Sequence, residues 1–62
     1  MFKEYRKMRG YTQEKLAELT NLDPRTVQRI ENGTTTPTLE TFRKFVKVLA
    51  ISDKDIIKYI KK

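Results

Sequence analysis

Residues Thr12 to Gly33, TQEKLAELTNLDPRTVQRIENG, read as two short helices separated by only three residues, Asn21, Leu22 and Asp23. Thr12 is placed to cap the first helix, and Glu14 adds a negative charge to its opening turn. Gln13, Leu16, Ala17, Leu19 and Thr20 carry that helix to a stop near Asn21. Asp23 caps the second helix, and Pro24 takes its first position, where a missing N–H costs nothing. This second helix runs to about Asn32, and Gly33 ends it. Folding two helices back over so short a connection requires a small side chain at the crossing and one residue at positive φ. Ala17 meets the first need. Asn21 meets the second, because asparagine tolerates left-handed backbone better than most residues. Val27 and Ile30 anchor the second helix on the first, which turns Pro24, Arg25, Gln28 and Arg29 away from the core.

Outward from this pair the punctuation predicts three more helices and no strand. Phe2, Tyr5 and Met8 share one face of a helix ending near Arg9, and Gly10 suits a left-handed terminator. Thr34-Thr35-Thr36-Pro37 reads as a loop, since a β-branched run before proline resists helix. Thr38 caps a fourth helix with Leu39, Phe42, Val46 and Leu49 spaced three to four apart. Ser52 and Asp55 form a capping-box opening to a fifth, which carries Ile56, Ile57, Tyr59 and Ile60. The fold class is therefore all-α, with residues 1–62 expected as a single domain. A chain of this length buries only about 60% of the surface its unfolded form exposes, so its stability margin is small.

Composition narrows the function classes. The chain has no cysteine and no histidine, which removes disulfides and thiolate or imidazole metal ligation, and no cofactor is expected. An enzyme is disfavoured, because the sequence has neither a glycine-rich phosphate loop nor a carboxylate pair with an evident cleft. No apolar run approaches the ~20 residues of a membrane span, no signal-peptide core follows Met1, and a cytoplasmic location is expected. The net charge of +6 suits a polyanionic partner, but the segment 21–36 nets zero, with Arg25 and Arg29 set against Asp23 and Glu31.

An outward helix face of arginine and glutamine suits the major groove of double-stranded DNA. Arginine can bond O6 and N7 of guanine together, and glutamine can bond N6 and N7 of adenine. The plain alternative is a helical hairpin whose polar face is merely solvated. The chain as a whole resembles the phage repressor and Cro-like, or xenobiotic-response-element, helix-turn-helix family, whose fold is the compact five-helix lambda-repressor-like domain. The resemblance rests on Arg6, TQEKLA at 12–17, the Val27/Ile30 pair, IENG at 30–33, Pro37 and VLAIS at 48–52. It implies that Arg25 and Arg29, with Gln28 second to them, read bases. It also implies that Gln13 bonds a phosphate at the start of its helix, beside Thr12, and that Thr26, Asn32, Thr34, Thr35 and Thr36 meet the DNA backbone. A carboxylate in the last turn of a helix opposes the macrodipole, so Glu31 needs a partner. The resemblance supplies one in Arg6, a structural pair tying the first helix to the third.

Three positions depart from the family pattern. Asn21 stands where glycine is usual in the turn. Pro24 replaces a hydrogen-bonding base reader, so any contact there is apolar. Ala50 replaces a common glycine after the fourth helix, with an expected strain of about 1 kcal/mol if its φ is positive. The leading function is a sequence-specific, repressor-like transcriptional regulator acting as a homodimer through the fifth helix or the 33–37 loop. No small-molecule ligand is evident. Two competitors are non-specific duplex binding through lysines and an antitoxin-like protein-interaction module, the latter favoured if Phe45, Val48 or Ile57 forms an exposed patch.

Overall fold

Side-chain caps and left-handed terminators divide the chain into its helices. The computed structural model describes residues 1–61 as α1 (Phe2–Met8), α2 (Gln13–Thr20), α3 (Pro24–Glu31), α4 (Leu39–Leu49) and α5 (Asp53–Ile60), with no strand among the described residues. Thr12, Asp23, Thr38 and Ser52 each accept a hydrogen bond from the first turn of the helix they precede.

The helix ends repeat one device four times. After α1, α2, α3 and α4 comes a residue at positive φ: Gly10 (75°), Asn21 (57°), Gly33 (76°) and Ala50 (52°). The amide of the following residue then bonds back five positions: Tyr11 to Arg6, Leu22 to Ala17, Thr34 to Arg29 and Ile51 to Val46, at 2.8–3.1 Å. This is the Schellman closure, which satisfies carbonyls the helix leaves open. Asn21 fills its place with little penalty. Ala50 does not, since a β-carbon in left-handed backbone crowds the carbonyl. Arg9 offsets part of that cost by donating to the carbonyls of Leu49 (2.8 Å) and Ala50 (3.1 Å), which also sets a cation at the negative end of α4.

The core is formed by Phe2, Leu16, Ala17, Val27, Ile30, Phe45, Leu49 and Ile51. Phe2 joins three helices: its ring meets Phe42, Phe45 and Tyr59 with centroids 5.0–6.0 Å apart. Several apolar positions differ from the spacing-based expectation. α1 closes at Met8, with Arg9 as its cap, and Met8 is exposed. Leu19 and Leu39 also face solvent. The inward stripe of α4 runs through Phe42, Phe45, Val46 and Leu49, and Leu39 in the first turn lies beyond the edge of the core. Phe45 is fully buried, so it contributes to no surface patch; Val48 is half-buried and Ile57 exposed.

α5 is held differently from the rest. None of its residues is buried; Ile56 and Tyr59 pack against the core while Ile57 and Ile60 remain exposed. Its N-terminus is clasped by Tyr5 of α1. The Tyr5 hydroxyl donates to the Asp55 carboxylate and receives the Ser52 amide at 3.3 Å. Only half of the capping box therefore forms: Ser52 Oγ accepts the Asp55 amide, while the carboxylate turns to Tyr5 rather than back to Ser52. The tyrosine hydrogen bond is the main reason the Asp55 carboxyl is held below the ordinary aspartate value.

Arg6 and Glu31 bind α1 to α3 from the inside. Arg6 Nε donates to Glu31 Oε2 at 2.6 Å and Nη2 to Oε1 at 3.1 Å, while Nη1 reaches the Tyr11 carbonyl at 2.9 Å. Their side chains are 11% and 1% exposed. A charge buried this deeply is tolerated only with its partner in place. A domain of 62 residues has roughly 3–9 kcal/mol of stability in all. Arg6→Ala or Glu31→Ala should each cost about 3–5 kcal/mol in urea unfolding, and the apolar pair Arg6→Met/Glu31→Leu should recover much of it. Losses below 1 kcal/mol for the single variants contradict this reading. Ala50→Gly should stabilise the domain by about 1 kcal/mol, raising the thermal midpoint by about 4–8 °C. An unchanged midpoint removes the strain assigned to Ala50.

Candidate nucleic-acid interface

The outward surface of α3 is fixed by what the helix buries. Val27 and Ile30 point into the core at 0% and 6% exposure, so the opposite side carries Arg25, Gln28, Arg29 and Asn32, all exposed. Their spacing of three, one and three residues draws a single stripe along two turns. Pro24, at the head of the helix, is exposed and offers only ring carbons. Thr26, off the stripe, is half-buried, and Asn32 is the residue that ends the helix.

The net-zero charge of this segment is distributed unevenly in space. Asp23 uses Oδ1 to accept the Arg25 amide at 2.8 Å, and Glu31 is turned inward onto Arg6. Both acids are committed to the helix or the core. Among the described residues neither the Arg25 nor the Arg29 guanidinium pairs with a carboxylate. The outer stripe is therefore positive although the segment is neutral, which is the arrangement a polyanion requires.

Two backbone features border the stripe. At the start of α2, Thr12 Oγ1 accepts the Lys15 amide at 3.0 Å, a capping role that leaves its own hydroxyl hydrogen free to donate. Next to it, half-buried Gln13 extends its carboxamide to Glu31, with Nε2 3.1 Å from Oε1. Following α3, the 33–37 loop folds back onto it, where the amide and the hydroxyl of Thr34 both donate to the Arg29 carbonyl, at 3.0 and 3.1 Å. The Thr34 hydroxyl hydrogen is thus engaged, while Thr35 and Thr36 are exposed. Within α2 Ala17 is 2% exposed, and Asn21, which ends that helix, lies in left-handed backbone.

The expected residues thus fall into two groups. Arg25, Gln28, Arg29, Asn32, Thr12, Thr35 and Thr36 share exposure; Arg6, Ala17, Val27, Ile30 and Glu31 form the support beneath α3. Gln13 belongs to both. Sequence reasoning missed that link, as it missed the Arg9 cap on α4 and the Tyr5 clasp on α5. Each of these joins residues at least 18 positions apart, so neither periodicity nor capping rules point to it. Among the described residues no group of His, Cys, Asp and Glu is placed to hold a metal ion.

A family model described as helix-turn-helix matches residues 2–56, from the first residue of α1 into α5. Comparisons with curated proteins and with solved structures gave no match. With its five helices in the lambda-repressor-like arrangement, the chain belongs to the phage repressor/Cro-like helix-turn-helix family, a family of DNA-binding domains and not of enzymes.

Proposed function

We propose that this domain binds double-stranded DNA sequence-specifically and regulates transcription as a repressor-like protein, with α3 in the major groove. The observation that carries this reading is the Arg25/Arg29 stripe, whose guanidinium groups pair with no carboxylate among the described residues while Glu31 is drawn into the core and Asp23 caps the helix. Arg25 and Arg29 take guanine edges, and Gln28 between them takes adenine. Gln13 and Thr12 hold a phosphate at the start of α2, and Asn32, Thr35 and Thr36 meet the backbone on the other side, with Thr26 and Thr34 adjoining. A cytoplasmic or nucleoid location accords with this role, and among the described residues no helix is long and apolar enough to cross a membrane.

The regulator acts as a homodimer. One copy is 28 Å across at its longest, too short to span two half-sites about 34 Å apart, so reading both needs a second recognition helix. Of the two surfaces considered for pairing, the 33–37 loop exposes threonines, whereas α5 exposes Ile57 and Ile60, at 51% and 69%. The apolar one is favoured. The buried state of Phe45 weakens the interaction-module alternative, which relied on that residue for its surface.

Base-reading and phosphate-binding residues separate by their response to sequence. Arg25→Ala or Arg29→Ala should cost about 1–3 kcal/mol on the preferred duplex and much less on a scrambled one, measured by fluorescence anisotropy at fixed salt. Equal losses on both duplexes would recast these arginines as phosphate contacts.

A further inference from the structure

Gln13 is the one residue that both opens α2 and bonds the buried ion pair. Its Nε2 lies 3.1 Å from Glu31 Oε1, the same oxygen that takes Arg6 Nη2 at 3.1 Å. The ionised carboxylate of Glu31 can only accept, so the carboxamide must stand nitrogen-first toward it. A carboxamide nitrogen carries two hydrogens. One is spent on Glu31, and the other has no partner among the described residues; the Gln13 and Glu14 backbone amides precede the first intrahelical bond of α2. Arg6 in turn holds Glu31 at two points and is itself fixed by the Tyr11 carbonyl. The chain of contacts thus runs from the buried Arg6–Glu31 pair to the start of α2.

We propose that Glu31 is a positioning residue for DNA binding: it fixes the orientation of the Gln13 carboxamide so that its second N–H, and not its oxygen, is presented to a phosphate. The inference rests on the reading of Gln13 as a phosphate contact. A phosphate accepts hydrogen bonds and repels a carbonyl oxygen, so an amide free to turn over would spend part of its time in the wrong orientation. Glu31 therefore does two things: it neutralises Arg6 in the core, and it orients a donor at the surface.

The test is a double-mutant cycle on one duplex, with Gln13→Ala, Glu31→Gln and the combined variant, each verified as folded by circular dichroism at 10 °C. Glutamine in place of Glu31 keeps the volume and one acceptor for Arg6, yet it can bond the Gln13 amide either way round. Removing a negative charge near DNA raises affinity in both arms of the cycle and cancels. Gln13→Ala should weaken binding about tenfold per bound subunit in the parent, the size of one hydrogen bond to a charged acceptor, and less than twofold when Glu31 is already glutamine. The same tenfold loss in both backgrounds overturns the positioning role while leaving the phosphate contact standing. No loss in either overturns the phosphate contact, and with it this inference. A parent that binds no duplex overturns the proposed function itself. If Glu31→Gln does not fold, the side-chain amide of Gln13 gives the answer in the unaltered protein by 15N NMR. One of its two N–H signals should be protected from exchange before DNA is added, and the other should move on adding it; two signals that exchange equally fast, with neither moving on addition of DNA, contradict the proposal.

Discussion

A buried ion pair governs the arrangement of this domain. Arg6 and Glu31 lie 25 positions apart in sequence, and their contact at 2.6 Å ties α1 to α3 beside the packing of Phe2 in the core. Charges in such a place are rarely the most stable choice, because desolvation removes much of what attraction supplies. What the pair provides is geometry. The Arg6 guanidinium reaches the Tyr11 carbonyl, ahead of α2, and Glu31, in the last turn of α3, so one side chain registers three elements.

The same pair shapes the outer surface by subtraction. A helix with two arginines and one glutamate would have a mixed face if the glutamate stood outside. With Glu31 drawn into the core and Asp23 bonded to the Arg25 amide, the exposed stripe of α3 carries cationic and neutral side chains alone. The fold and the charge of the outer α3 stripe thus both draw on one interaction. The rest of the chain is fastened more lightly: α5 buries no residue completely and relies on Tyr59 in the aromatic cluster and on the Tyr5 clasp. An element held this way leaves Ile57 and Ile60 in solvent.

Much of this was legible in the sequence because the relevant physics is local. Thr12, Asp23, Thr38 and Ser52 are side-chain caps whose effect reaches one turn, and all four stand where the helices begin. Gly10, Asn21 and Gly33 end helices for equally local reasons, and Ala50 kept the left-handed backbone despite its side chain. Periodicity was less informative in short helices. It assigned Met8 and Leu39 to apolar faces, yet both are exposed, because a seven- to eleven-residue helix in so small a domain has too little neighbouring surface to cover every residue on its stripe. The Arg6–Glu31 link came from family resemblance rather than spacing. Gln13 on Glu31, Arg9 on the end of α4 and Tyr5 on Ser52 and Asp55 were not legible at all, since each depends on how helices distant in sequence come together.

The central claim, that the α3 stripe reads a specific sequence in a paired arrangement, is tested most directly by selecting bound duplexes from a random library at about 0.15 M salt. The account predicts an enriched motif of two inverted half-sites centred about one helical turn apart, with guanines in each half-site to match Arg25 and Arg29. Folded protein that enriches no motif, and binds all duplexes alike with a Kd of roughly 10⁻⁴ to 10⁻⁶ M, would contradict it and reduce the stripe to a non-specific cationic surface.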